Sequence, residues 1–280
     1  MGAAQPERLA PSDSVRVTNR RGSSPWVIVC DHASNFVPPQ YGTLGLQPAD
    51  LDRHIAWDPG ASSVAERMAE RLDAVLVQSR VSRLVIDCNR SFDAPDLIAA
   101  LSETIEIPGN RDLSADERAR RIAFVHQPFH DAIDDVIRVR LRDGRPTWLV
   151  SVHSFTPVYR GVPRPWQIGI IHDDDVRLSG PLIAVLEGLG GVTVGDNQPY
   201  SPTDRVYYTL ERHARSRGLP CVMIEIRNDE ISEERGQLLW GDRLGDIFAG
   251  LTESVGYKQE EAAPANADVL DVRQRTSRGR

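Results

Sequence analysis

The stretch 26-WVIVCDHASN-35 decides how the chain is read. Apolar residues from Trp26 to Cys30 run without interruption and then stop at Asp31, His32, Ala33, Ser34 and Asn35. A short unbroken apolar run of this kind is the signature of a strand covered on both faces, which places it in a sheet packed between helices. Asp, Ser and Asn are ordinary turn residues that bond their own backbone, so the polar end has a plain reading as a turn. The rest of the chain decides whether it has a second.

Outward from that strand the pattern repeats. AVLVQS (74–79), RLVIDC (83–88), TWLVSVH (147–153), WQIGIIH (166–172), VTVGD (192–196) and PCVMIEIR (220–227) are likewise short and mostly apolar. Between them apolar residues recur three and four apart in 62–74, 114–144, 179–190, 204–218 and about 232–255, which predicts amphipathic helices. Ser114 ahead of Asp116 and Glu117, and Gly218 after its helix, supply caps. Strands alternating with helices predict an α/β fold, a three-layer α/β/α sandwich around a mixed, mostly parallel sheet. Residues 1–22 and 258–280 lack periodicity and apolar surface, and are expected to be flexible tails flanking a single domain, 23–257.

The 280 residues are 40% hydrophobic and 26% charged with a formal net charge of −7, which excludes the concentrated basic face that nucleic-acid binding needs and favours a small-molecule partner. No run of about 18 apolar residues is present to cross a bilayer, and no apolar leader follows the first residues. A cytoplasmic protein without a membrane partner is therefore expected. Cys30, Cys88 and Cys221 are widely spaced in apolar runs and read as reduced core thiols. No feature specifies an oligomeric state.

In open α/β sheets ligands bind beyond the carboxyl ends of the strands, and four predicted strands end in chemistry. The first delivers His32; RLVIDCNR delivers Asp87, Asn89 and Arg90; TWLVSVHSF delivers Ser151, His153 and Ser154; PCVMIEIR carries Glu225 and Arg227. Charged residues in such company are expensive unless paired or functional. Two histidines and one carboxylate form the ligand set of a catalytic zinc with a position left open, which predicts one Zn2+ per chain on His32, His153 and a carboxylate. Asp58 in HIAWDPGA (54–61) is the expected carboxylate, against a plain role in capping the next helix. Asp31, Asn35 and His54 are the alternatives, Asp31 also being placed to orient His32. Asn35 is a poor zinc ligand and is grouped with the substrate-binding residues.

Glu225 is the expected general base, against a salt bridge with Arg227 on the same face of its strand. Arg90, with Asn89 beside it, is expected to clamp a substrate carboxylate through its planar fork of donors. Asn197 and Tyr200 in GDNQPYSPTD (195–204) are placed to reach the substrate from a loop. The remaining histidines read as bystanders: His126 and His130 as packing or lining residues, His172 in a solvated acidic turn, His213 on a charged surface helix.

CDHASN, HIAWDPGA, SRLVIDCNRS, HQPFHDAI, SVHSF, GDNQPYSPTD, YYTLERHARSRGLP and VMIEIRNDEI together resemble the N-formylglutamate amidohydrolase family, whose fold and metal centre are similar to those of zinc carboxypeptidases. The resemblance covers about Val27 to Ile231. It implies a zinc-dependent amidohydrolase that cleaves the N-formyl or N-acyl amide of an amino acid such as N-formyl-L-glutamate, with histidine degradation as its setting. It also implies His153 as the second metal histidine, Asn89 and Arg90 as the carboxylate-recognition pair and Glu225 as the catalytic glutamate. The chain departs from the carboxypeptidases at Asn35, where they place a glutamate ligand three residues after the first histidine. Segments 155–175 and 192–205 resemble the family less closely. A deacylase or carboxypeptidase-like hydrolase of another substrate, or an inactive binding homologue, therefore stays open.

Overall fold

The apolar run Trp26–Cys30 forms a strand in the interior of a seven-stranded sheet. In the computed structural model, which describes residues 10–254, the sheet strands are β1 (Val15–Thr18), β2 (Trp26–Cys30), β3 (Val75–Ser79), β4 (Trp148–Phe155), β5 (Ile168–Ile171), β6 (Val194–Asp196) and β7 (Cys221–Arg227). Their spatial order is β1-β3-β2-β4-β7-β5-β6. The pairs β3–β2, β2–β4, β4–β7 and β5–β6 are parallel. The pairs β1–β3 and β7–β5 are antiparallel, so β5 and β6 run against the four central strands.

Every residue of β2, β3 and β4 is buried because helices cover both faces. Val27, Val29, Leu149 and Met223 point into one core, with Phe129, Ile133, Ile137 and Leu210. Those partners come from helices α3 (Gln127–Arg142) and α5 (Tyr208–His213), with α2 (Ala115–Arg121) preceding α3. Trp26, Ile28, Val150, Val152 and Ile224 alternate into the other core. There they meet α1 (Ala61–Leu72), α4 (Ser179–Gly188) and α6 (Glu234–Ser254) through Val64, Met68, Leu182, Trp240, Leu244 and Phe248. This is the expected three-layer sandwich with a mixed, mostly parallel sheet. Among the described residues no helix is long and apolar enough to cross a membrane.

Three expectations are corrected. RLVIDC (83–88) is a loop, although Leu84, Val85, Ile86 and Cys88 are all buried. β3 already has β1 and β2 on its two edges, so this run finds no strand to pair with. Its carbonyls go to side chains instead: Asn110 donates to Leu84 O at 2.8 Å and the buried Arg121 to Val85 O at 3.1 Å. The second correction concerns 1–22, expected as a loose tail, where Val15–Thr18 pairs with β3 as the edge strand. The tail expected at 258–280 lies outside the described residues.

The third correction concerns helices. Segment 204–218 holds only the short α5 between 3-10 turns at Pro202–Asp204 and Arg215–Arg217. Segment 114–144 is helical throughout but widens into a π turn at Ile122–His126. Pro128, at the start of α3, has no N–H to continue the preceding ladder, which accounts for the widened turn.

Candidate active site

His32 follows β2 directly, and the backbone N–H of Asp58 donates to its carbonyl at 3.0 Å, which folds the 53–60 loop back onto the strand end. Ser154 at the end of β4 fixes the same loop by donating to Pro59 O at 2.9 Å. Gly60 then turns the chain into α1 with φ +81°, and any Cβ there would collide with the carbonyl of Ile231. Asp58 is thereby aimed at the sheet edge, not at the helix terminus. His153 lies on β4, and its register partner on β7 is Glu225.

The three expected ligands converge. Asp58 Oδ2 lies 2.8 Å from His153 Nδ1 and 3.2 Å from His32 Nδ1. One donor atom from each of the three residues falls within 4.8 Å of the others, and all three residues are buried. The opposite ring nitrogens are also held. His32 Nε2 meets Asp87 Oδ1 at 2.7 Å, and His153 Nε2 meets Ser151 Oγ at 2.8 Å and Asp31 Oδ2 at 3.2 Å. Asp31 is placed by Ser151 Oγ at 3.0 Å and by the Thr209 hydroxyl. Asp31 therefore orients His153 and not His32, as expected from sequence; Asp87 orients His32. The exchange arises because Asp31 reaches across to Ser151 and His153 on the neighbouring β4.

Such a set fits a divalent cation. Two imidazoles present the same nitrogen, Nδ1, toward one carboxylate while a further carboxylate holds each Nε2, the arrangement that fixes a metal-binding histidine's tautomer. Charge agrees: Asp31, Asp58 and Asp87 each contact one or both of the two imidazoles, while Arg83 pairs with two of these carboxylates, donating to Asp87 at 2.6 and 3.1 Å and reaching Asp58 at 3.5 Å. Burial would raise Asp58 and Asp87, yet His32, His153 and Arg83 hold both carboxyls below the usual range. Burial would likewise lower His153, but Asp31 and Asp58 drive it well upward, so the surroundings demand positive charge at this point.

Glu225 stands beside this cluster in a different state. It is 5% exposed and its Oε2 is buried with no hydrogen-bond partner. Burial pushes its carboxyl up to about 7, with Asp58 adding to the effect and His153 and His32 opposing it. The alternative partner, Arg227, is committed to Asp229 at 2.7 Å and Glu230 at 3.2 Å.

Glu225, His32, Asp58 and His153 line one cavity of about 610 Å³, together with Arg83, Asn89, Arg90, Arg164 and Tyr200. Asn89 is buried and its amide is consumed by backbone, accepting from Thr209 N at 3.0 Å and donating to Val206 O. Arg90 reaches the cavity wall with Nε on Asp96 at 2.7 Å and Nη1 on Asn89 O at 2.9 Å. Asn35 is not brought to the cavity: it donates to Leu51 O at 3.0 Å and to Asp52 at 3.3 Å on the surface. Three residues past His32 the chain has left the strand end, which is why Asn35 falls outside. Asn197 likewise faces away, accepting from His172 N. His54 pairs with Glu103 at 3.2 Å at the rim.

His213 is 1% exposed, which corrects its assignment to the surface. It lies 2.8 Å from His130, whose Nε2 donates to Cys88 O at 2.9 Å, while His126 donates to Arg90 O at 2.9 Å. These three histidines pack beneath the Cys88–Arg90 loop. Arg83 and Arg164 were missed as site residues; Arg83 stood in RLVIDC as a charged start to an apolar run, and Arg164 lay in segment 155–175, which drew notice only as a departure from the family.

Imidazoles set for a cation, with a partnerless carboxylate beside them at the carboxyl edge of an α/β sheet, define the class: a hydrolase that works at a carbonyl carbon. Residues 24–232 match N-formylglutamate amidohydrolase, and the chain belongs to that family. Among solved structures, gene product Atu2144 from Agrobacterium tumefaciens is similar at 44% identity and a TM-score of 0.84, over 86% of this chain and 96% of that one. N-formylglutamate amidohydrolase from Ralstonia eutropha JMP134 is similar in fold, with 20% identity and a TM-score of 0.69 over 86% of this chain and 98% of that one. The curated proteins hold no match to the chain.

Proposed function

We propose that residues 23–257 act as a single metal-dependent amidohydrolase domain that removes the formyl group from an N-formyl amino acid such as N-formyl-L-glutamate. The observation that carries this reading is the partnerless Glu225 beside the His32–Asp58–His153 cluster. His32 and His153 through Nδ1, and Asp58 through a carboxylate oxygen, would hold one divalent cation, zinc by the chemistry of the donors. When bound, that ion supplies electrophilic polarisation of the amide carbonyl and eases deprotonation of water.

The remaining work belongs to the chain's own residues. Glu225 takes a proton from the attacking water as its oxygen adds to the formyl carbon, then passes that proton to the nitrogen as the C–N bond breaks. Formate and the free amino acid result. Burial raises the proton affinity of this carboxyl above that of an exposed glutamate, which suits it to take a proton from water and pass it on. Arg90 holds the α-carboxylate of the substrate, and Asn89 locks the loop that presents it. Arg83 keeps Asp87 ionised, and Asp87 fixes the ring of His32. A cytoplasmic place in histidine breakdown suits such a reaction.

The test is release of formate from N-formyl-L-glutamate by the purified protein, beside N-acetyl and longer N-acyl amino acids. Turnover of the formyl substrate, lost in Glu225→Gln, is expected. Turnover of only the longer acyl substrates would replace deformylation with general deacylation, and no turnover of any would refute the enzyme reading.

A further inference from the structure

Four arginines line the cavity, Arg83, Arg90, Arg160 and Arg164, and they differ in how their charge is met. Arg83 is paired with Asp87 and Asp58, and Arg90 with Asp96. Arg160 is exposed and leans on the Tyr159 ring, its guanidinium carbon 5.2 Å from the centroid. Arg164 alone is both buried, at 8% exposure, and without a carboxylate within 4.0 Å among the described residues.

What surrounds Arg164 is an aromatic cage. Its guanidinium carbon lies 4.6 Å from the Tyr159 ring centroid, 4.8 Å from Tyr200 and 5.7 Å from Phe155. Nη1 donates to the Tyr200 hydroxyl at 3.1 Å and to Thr156 Oγ1 at 3.5 Å. Rings and hydroxyls orient a guanidinium without neutralising it. A permanently charged group taken out of water needs a counter-charge, and Arg164 lines the cavity that also holds Glu225. The planar fork matches a carboxylate in two parallel hydrogen bonds. Phe155 ends β4, Thr156, Tyr159 and Arg164 follow it, and Tyr200 comes from the loop after β6, whereas Arg90 lies on the loop that carries Asp87.

We infer that Arg164 is the residue that selects the substrate's side chain, binding a carboxylate at its far end while Arg90 holds the α-carboxylate. The inference rests on the amidohydrolase reading and adds to it the residue that reads the substrate's second carboxylate. Thr156, Tyr159 and Tyr200 are positioning residues for the fork.

N-formyl-L-glutamate and N-formyl-L-glutamine differ only at that far end, a carboxylate in one and an amide in the other. In Arg164→Gln, kcat/KM for the glutamate substrate should fall roughly 10- to 100-fold, the size of a charge-assisted hydrogen-bonded pair, while that for the glutamine substrate stays within about 3-fold. Arg164→Lys, which keeps the charge but loses the fork, should recover part of the loss. Equal losses on both substrates, or no loss on either, would overturn the assignment. Calorimetric binding of glutarate gives a readout that does not depend on turnover, in variants whose melting temperatures show that they fold. Weakening of glutarate by the same factor in Arg164→Gln supports the assignment, and binding absent from the wild type or unchanged in the variant overturns it. Glutarate binding that depends on Arg164 in a protein that hydrolyses neither formyl substrate would sink the amidohydrolase reading and leave the carboxylate site standing.

Discussion

At the scale of single residues, the acids at the sheet edge divide by what they touch. Asp31, Asp58 and Asp87 are each held by several donors, whereas Glu225 Oε2 is buried and bonds nothing. Glutamine at 225 would keep the shape and remove the proton acceptor. Turnover should then fall roughly 10²- to 10⁴-fold with metal content unchanged, and a variant with wild-type kcat would remove Glu225 from the role of base. The histidines under the Cys88–Arg90 loop make a prediction of opposite character. His130 donates through Nε2 to Cys88 O, and its Nδ1 lies 2.8 Å from His213 Nε2, a contact that two neutral rings make with His213 as donor. Burial, with Arg212 and Arg217 nearby outweighing Asp31, pushes His213 down to about 3, and burial with His126 and His213 pushes His130 well down. The folded state thus binds fewer protons than the unfolded chain, whose histidines titrate near about 6.5. Their contribution is fully present above that pH and is lost as pH falls toward about 3. Denaturant midpoints should drop between pH 7 and pH 4, less steeply in His213→Gln, and parallel profiles for the two proteins would contradict this. His32, Asp58, His153 and Glu225 were legible because polar side chains beside apolar strands must be paired or used. Which carboxylate serves which imidazole was not, because it depends on the neighbour across the sheet.

At the scale of elements, burial and strand formation come apart in RLVIDC. Its side chains fill a core as a strand's would, but a strand also needs a free edge to bond, and the sheet offers none there. Hydrophobic pattern reports the first condition and is silent on the second. The same silence hid β1, whose VRVT alternates weakly and gains its place by pairing with β3. The turn at Asp58–Gly60 is where element and site meet. Alanine at Gly60 would force a Cβ into the Ile231 carbonyl at a positive φ, at a cost of order 1–3 kcal/mol. A melting temperature lowered by several degrees, together with weaker metal retention as Asp58 shifts, is expected. A Gly60→Ala protein with the wild-type melting curve would show that this loop tolerates rearrangement.

At the scale of the whole molecule, the four central parallel strands, β3, β2, β4 and β7, set the direction of the site. β2 and β4 deliver the imidazoles, β7 delivers Glu225 next to His153, and helices cover both faces of the sheet. That layout was legible from the alternation of strands and helices. The reversal of β5 and the aromatic cage around Arg164 were not, because both rest on contacts between distant segments. On the proposed reading the cluster also couples metal to stability. A cation held by His32, Asp58 and His153 binds the folded chain alone, so removing it by chelation should lower the melting temperature, and adding zinc back should restore about 4 kcal/mol at a thousandfold excess over Kd. The most direct measurement is elemental analysis of the purified wild type and Asp58→Ala. The account predicts roughly one zinc per chain in the first and little in the second. A metal-free wild type, or a variant that keeps its zinc, would contradict the His32–Asp58–His153 centre.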